Sequence, residues 1–457
     1  MPIEGARVRP LKDAPENPEG RYVLYWMQSS QRADFNPALE YALEAANQRD
    51  LPLVVAFGLT DDYPEANARH YAFMLEGLAE VRRRLAARGI SFVLRRGAPD
   101  TVALSLSQDA VLVVCDAGYL RVPRLWRRQL AEGMDRRFIR VEGDVVAPIA
   151  QVSNKHEYAA RTIRPRIQRV MEDYIAPLQP GPVARPGDLG LASDFDLSDV
   201  PAILKTLRLD HSCAPVRRFR GGEGEARARL ARFVDAALGD YGAARGKPEA
   251  EAVSYLSPYL HFGQISPVEI ALAVRHAQAG ASESRATYLE ELIVRRELAI
   301  NHVWWSPDYD RYEGLPAWAR ATLEAAASDP RPHLYDYEAF DAAATHDPYW
   351  NAAMTEMKVT GYMHNRLRMY WGKKILQWSA TPQEAFATVL ALNNRYLLDG
   401  RDANSYANVG WIFGLHDRPW PPQPVFGTVR SMGPNTFKSF DAEAYVRQVR
   451  RLAAAEA

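Results

Sequence analysis

The sequence predicts an α/β protein in two parts: a Rossmann-like parallel-sheet domain followed by an all-α domain. Three observations carry this. Short apolar runs alternate with helical patterns over the first 150 residues, as in a parallel sheet with crossover helices. From about residue 213 the pattern is nearly all helical, with aromatic and Gly/Pro punctuation. With 457 residues, 47% hydrophobic and 25% charged, the chain has material for two or three globular units.

Residues 1–20 are polar and proline-rich and read as a loose arm. RYVLYWMQ (21–28) is a buried strand, and NPALEYALEAANQRD (36–50) follows with helical apolar spacing. LPLVVAFGLT (51–60) is a second strand, then a helix over 66–88 sets Met74, Leu75, Leu78 and Val81 on one face. ISFVLRRG (90–97), AVLVVCD (110–116) and RRFIRVEGDVV (136–146) are further strands, which completes an α/β domain over 21–150. Ligands of such sheets bind at the carboxyl ends of the strands. There WMQSSQR (26–32) either lines a pocket or is an ordinary loop. No G-x-G-x-x-G or P-loop follows any strand, so dinucleotide or NTPase sites of those kinds are unsupported. Residues 151–212 form an interdomain connector long enough to need packed structure of its own. Residues 213–457 form the helical domain.

Lys+Arg and Asp+Glu balance at 56 each, for a net charge of zero. A nucleic-acid partner would therefore meet a local basic patch, not a basic protein. The two cysteines, Cys115 and Cys213, lack metal-ligand or disulfide spacing, so neither a disulfide framework nor a bound metal is expected. The amino terminus has no apolar core, and the longest apolar runs are too short to span a bilayer, so a cytoplasmic or nucleoid-associated protein without membrane contact is expected.

Several stretches of the helical half carry chemistry. Residues 345–378 hold Trp350, Trp371 and Trp378. Trp371 and Trp378, seven apart, share a helix face about 10.5 Å apart along the axis. Trp350 would lie about 31 Å from Trp371 on one unbroken helix. Gly361 between them favours two helices folded together. Close indoles either pass electrons or fill a core. In SYLSPYLHFGQISP (254–267), hydroxyls at a helix start suit a diphosphate, although Ser-Pro is also a plain helix-start device. FRGGEGEARARLARFVD (219–235) offers Arg227, Arg229 and Arg232 either to phosphates or to solvent, balanced by Glu223 and Glu225. In YLEELIVRRELAIN (288–301), Glu291 either pairs with Arg295 at i,i+4 or sits half-buried in a cleft with a raised pKa. An Arg368–Asp399 pair beside Asn393 would suit a redox-active ring, or be a structural ion pair. Trp411, Arg418, Trp420 and Arg430 interleave aromatics with arginines, the vocabulary for unstacked bases and phosphates, or else form a docking segment.

Together these stretches resemble the photolyase/cryptochrome family, and within it the class II cyclobutane pyrimidine dimer (CPD) photolyases. The resemblance rests on YWMQSSQR (25–32), VSNKHEYAARTIRPRI (152–167), LSPYLHFGQISP (256–267), EELIVRREL (290–298), THDPYWNAA (345–353), HNRLRMYWGKKIL (364–376), LDGRD (398–402) and FGLHDRPW (413–420), in the family's order. It implies a helical domain holding FAD, active as the anionic reduced flavin, with a second antenna chromophore possible but unplaced. It also implies a monomer acting as a lyase on UV-damaged DNA that contains pyrimidine dimers. By position, Tyr241, Val253, Ser254, Tyr255, Leu256 and Ser257 would contact the FAD phosphates and ribityl chain. Arg368, Asp399, Asn393, Arg401 and Asp402 would surround the isoalloxazine. Glu291 would hydrogen-bond the lesion, Met369 would flank it, and Trp411 would pack on it; with Asn393, the first two are the expected catalytic residues. Arg245, Arg418, Trp420 and Arg430 would handle the DNA backbone and the bubble left by the flipped dimer. Trp371, Trp350 and Trp378, in that order from flavin to surface, match the class II electron chain. Gly246 stands where an asparagine is expected, which puts one lesion contact in doubt. The rival is a cryptochrome-like blue-light sensor without repair, although FDAEAYVRQV (440–449) is followed by no long extension. An α/β nucleotide-binding enzyme lacks its phosphate loops, and 6–4 photoproduct specificity fits the class II motifs poorly.

Overall fold

A computed structural model describes residues 3–187, 189–278 and 282–456. Its single sheet is built from β1 (Val8–Lys12), β2 (Tyr22–Trp26), β3 (Leu53–Leu59), β4 (Ser91–Arg96), β5 (Ala110–Asp116) and β6 (Phe138–Val141). The spatial order is β1-β6-β5-β2-β3-β4. Neighbours from β6 through β4 are parallel, with Leu24 opposite both Val54 and Val113. All five residues of β2 are buried, as expected of a central strand covered on both faces. Val23 and Tyr25 point into one core with α1 (Pro37–Asn47) and α2 (Ala68–Ala87). Leu24 and Trp26 point into the opposite core with α3 (Pro99–Ser107) and α4 (Arg121–Gly133). Asn36 and Asn67 start α1 and α2, each side chain accepting backbone N–H groups of the first turn.

The expected loose arm is in part a strand. β1 pairs antiparallel with β6, Val8 opposite Val141, and adds an edge the apolar-run criterion missed because β1 alternates charged and apolar residues. Just before it, Arg7 is buried, donating to the carbonyls of Val145 (3.1 Å) and Val146 (2.8 Å). Both parts of the connector pack against the rest of the chain. Its first part joins the helical core through Val152, Ile163, Ile167 and Tyr174. Its second part covers the edge strand β4: Asp194 N–H donates to Leu94 O at 2.8 Å, and Leu94 N–H to Ser193 Oγ at 3.0 Å. Covering an edge removes a template for intermolecular pairing.

In the helical half, the helix Pro348–Thr360 ends at Gly361, whose φ of 69° makes the left-handed cap. The chain turns back into the helix Asn365–Trp378, so the indole-bearing stretch is two helices, as its glycine predicts. The halves are locked by buried polar contacts. Arg32 pairs with Asp144 (2.6 Å) and donates to Gly263 O (2.9 Å). Glu297 accepts the backbone N–H of Val146 at 2.6 Å. Arg227 joins Glu269 (2.6 Å) to Asp34 (2.8 Å), while Glu223 is buried and caps the N–H groups of Ala33 and Asp34. In the arginine-rich helix Glu223–Ala236, Arg227 and Glu223 thus join the two halves, while Arg232 and Glu225 are exposed, as the solvated reading of this helix has it. Among the described residues, no helix is long and apolar enough to cross a membrane.

Candidate active site

A cavity of about 510 Å³ opens within the helical half. One wall is the segment Val253–Ser257 with Tyr241; Tyr255 takes a left-handed backbone (φ 54°) that turns the chain along the cavity. Strained backbone of this kind is held only where surrounding structure demands it, often at ligand sites. Tyr288 donates its hydroxyl to Ser254 Oγ at 3.0 Å, fixing that side chain.

The floor carries Arg368 and Asp399. The Arg368 Nη2 lies 3.1 Å from one Asp399 oxygen and 3.2 Å from the other, with both side chains nearly buried. The pairing expected from sequence is therefore made, at the cavity surface. Among the described residues, one buried wall nitrogen, Arg368 Nε, finds no hydrogen-bond partner. Unpaired buried polar atoms facing a cavity are what a polar ligand satisfies. Burial holds the His364 pKa down near 4, so its ring is neutral.

At the other end stand Glu291, Arg245, Gly246 and Trp411. Glu291 pairs with Arg245 at 2.7 Å and not with Arg295. The cause is local: Glu290–Arg295 is a turn of π-helix, which rotates the i,i+4 partner away and sets Arg295 beside Glu290 at i,i+5 (3.4 Å). π-Turns gather at functional sites. Glu291 and Arg245 are each half-buried, so both are presented to the opening. Arg366 donates to the Gly246 carbonyl at 3.2 Å, and a Cβ at 246 would lie 3.1 Å from its Nη1, a tight contact.

Beyond Trp411 runs an alternating ladder. The Arg430 guanidinium lies 5.8 Å from the Trp411 ring and 4.9 Å from the Trp420 ring, and Arg418 lies 5.5 Å from Trp420. Arg418 and Arg430 are exposed. On the inner side, Lys373 is fully buried, 5.2 Å from the Trp411 ring, and burial lowers its pKa to about 7. The three indoles of 345–378 are also brought together: Trp350 sits 6.4 Å from Trp371 and 6.2 Å from Trp378, ring centre to ring centre. All three are buried, and Trp371 follows Arg368 by one turn on the same helix.

Four of the residues expected around the flavin and the lesion lie off this cavity. Asn393 is buried beneath it, its amide donating to Asn394 Oδ1 (3.0 Å) and Ser405 Oγ (2.5 Å). Arg401 and Asp402 face the opposite side. The LDGRD turn is tight: Gly400 is so close-packed that a Cβ would meet Asn393 O at 2.9 Å, and Arg401 has φ 61°. Asp399 therefore points into the cavity while Arg401 reaches His70 (2.9 Å) and Asp402 caps the next helix. Met369, one residue past Arg368, points into the core around the indoles. Asn365 lines the cavity instead, as do Asn404 and Asn408. With Trp411 the last two recur at i, i+4 and i+7 on the helix Ala403–Ile412, a polar stripe that helical spacing alone makes visible.

A second cavity lies between the halves, at the carboxyl ends of β2, β3 and β5. Gln28, Ser29 and Gln31 line it, so the polar segment after β2 does border a pocket. Arg401, Asp402 and His261 close it from the helical side, with Tyr119 and Trp126 among its aromatic walls. Its position is the topological switch point between β2 and β5, where doubly wound sheets bind ligands.

The fold is a mixed α/β one: a mostly parallel sheet packed against a helical half that holds a deep polar cavity, an arginine–tryptophan face and three clustered indoles. The chain belongs to the DNA photolyase family. The DNA photolyase family model matches residues 23–183. The deoxyribodipyrimidine photo-lyase of Methanothermobacter thermautotrophicus is 42% identical, over 98% of this chain and 99% of the relative. A class III photolyase structure from Agrobacterium tumefaciens superposes with a TM-score of 0.74 at 21% identity, covering 96% of this chain and 88% of that one. An archaeal photolyase from Sulfolobus tokodaii, solved with two FAD molecules, gives a TM-score of 0.71 at 16% identity, over 95% and 93%.

Proposed function

We propose that the protein is a light-driven DNA repair enzyme of the class II branch, acting on cyclobutane pyrimidine dimers. The observation that carries this is the shared cavity: Tyr241, Val253–Ser257, Arg368 and Asp399 line one end, and Glu291, Arg245 and Trp411 the other. A cofactor and a lesion held in those two places would be in contact. The donor set fits FAD: an arginine paired to a carboxylate beside the floor, hydroxyls and backbone along one wall, and an unpaired buried arginine nitrogen. Held there by Arg368, Asp399 and the wall Val253–Ser257, FAD in its reduced anionic form would supply light-driven one-electron chemistry.

The chain's own residues do the rest. Arg368 offers positive charge where a reduced ring would carry negative charge, and Asp399 keeps that guanidinium oriented. Glu291 and Arg245, paired at the opening, present an acceptor and a donor to an extruded dimer. Trp411 provides an apolar face, and Arg418, Trp420 and Arg430 line the route by which DNA approaches. Extruding a distorted lesion costs less than extruding a sound pair, which selects damage without reading sequence. Trp371, Trp350 and Trp378 would carry electrons inward from the surface to an oxidised flavin. The second cavity would hold an antenna chromophore with the polar groups of Gln28, Ser29 and Asp402.

The test is a visible spectrum of the purified protein followed by a repair assay on a thymine dimer in light and in darkness. Flavin absorbance and light-dependent repair are expected. A colourless protein that does not take up FAD, or full repair in darkness, overturns the reading; flavin with no repair in light assigns the rival role of light sensing.

A further inference from the structure

Three histidines that no expected site uses converge on one point. His156 lies in the connector, His302 in the helix Arg296–Trp305, and His416 in the loop after the helix Ala403–Ile412. Their ring centres are 5.1, 5.6 and 6.0 Å apart, and one nitrogen of each lies within 4.8 Å of the other two. His302 Nδ1 and His156 Nε2 face each other at 3.1 Å. A tetrahedral zinc ion with bonds of about 2.0–2.1 Å holds its ligand nitrogens about 3.3 Å apart. One edge of such a site is therefore already at length, and His416 needs to close inward by roughly 1 Å or a little more.

We propose that His156, His302 and His416 form a binding site for a divalent transition-metal ion of the zinc class.

The state of the His416 ring supports this independently. Its Nδ1 is held by the carbonyl of Tyr158 at 2.8 Å, the outer contact that fixes the tautomer of metal-binding histidines. That leaves Nε2 with the lone pair, buried and without a partner among the described residues. Backbone of Tyr309 likewise hydrogen-bonds His302. Burial lowers the pKa of His302 and of His416, which favours the neutral ring that binds a metal. Glu157 beside His156 favours a cation, and Arg295 near His416 opposes one. His156 is exposed, which leaves an entry path and room for water as fourth ligand. The site would pin the loop bearing Asp417, Arg418 and Trp420 to the connector and to the helix whose Leu298 and Ala299 line the large cavity. His416 borders that cavity too. The ligands lie 146 and 114 residues apart in sequence, so no spacing motif announces them.

The test is calorimetric titration of Zn²⁺ into the flavin-loaded full chain, free of any polyhistidine tag, for wild type and His156→Ala. One Zn²⁺ per chain is expected, with affinity lowered at least tenfold in the variant and a Zn²⁺-dependent rise in melting temperature confined to wild type. His156→Ala removes only the exposed ligand; His416→Gln, as a second variant, is expected to weaken binding similarly. No binding to wild type, including the case in which flavin engages His416, or equal binding to wild type and both variants, overturns the proposal.

Discussion

The indole of Trp350 lies nearly parallel to that of Trp371, 13° between planes and 6.4 Å between centres, and donates its Nε1–H to the Trp371 carbonyl at 3.0 Å. The hydrogen bond fixes the spacing of the two rings, because it ties the side chain of one helix to the backbone of the next. Trp378 meets Trp350 edge-on at 6.2 Å, beside the exposed His346. This places Trp350 as the middle member, although it comes first in sequence.

Substituting Trp371→Phe is therefore expected to slow photoreduction of oxidised flavin at least tenfold. Repair by chemically reduced enzyme should be spared. Transient absorption after a light pulse measures the first, and a dimer-repair assay under reducing conditions the second. Unchanged photoreduction would refute the indole chain.

The Glu291–Arg245 pair is half exposed, so it contributes only about 0–1 kcal/mol to folding. Arg245→Ala should leave the melting temperature within about 2 °C of wild type. It should weaken binding of dimer-containing DNA and flatten the salt dependence of that binding, since a phosphate or lesion contact is lost. Fluorescence anisotropy at several salt concentrations checks both.

Arg368 and Asp399 are both nearly buried, and removing one charge strands the other. Asp399→Asn is expected to destabilise the fold by on the order of 3 kcal/mol and to reduce bound flavin per chain. Denaturant melts and the ratio of flavin to protein absorbance test this. Full flavin content with unchanged stability would show that the pair orients nothing.

Burial pushes the Glu297 carboxyl up to about 7, while it accepts the backbone N–H groups of Val146 and Ala147 across the domain boundary. The folded pKa exceeds the unfolded one, so this group's stabilising contribution is full below about pH 4.5 and is lost as pH rises through 7. Glu297→Gln keeps an acceptor and cannot ionise. Its melting temperature relative to wild type is expected to climb between pH 5 and pH 8. A difference independent of pH would contradict the buried-carboxylate assignment.

What the sequence determined by itself is the local and periodic part. Strand–helix alternation set the parallel sheet, because burial on both faces demands continuous apolar runs. Gly361 set the helix reversal, because a left-handed cap is open mainly to glycine. Arg368 with Asp399, and the wall Val253–Ser257, were legible as residue types, and the fold does bring them to one cavity. Tertiary structure decided which way each side chain faces. Asp399 and Arg401 are two residues apart yet border different cavities, since a turn packed without room for a Cβ reverses the chain between them. A π-turn gave Glu291 a partner 46 residues away in place of the one four residues on. β1 found its place only by pairing with β6, and the three histidines met only because three distant segments cross at one point. Contacts of that kind depend on long-range packing, which no local period encodes.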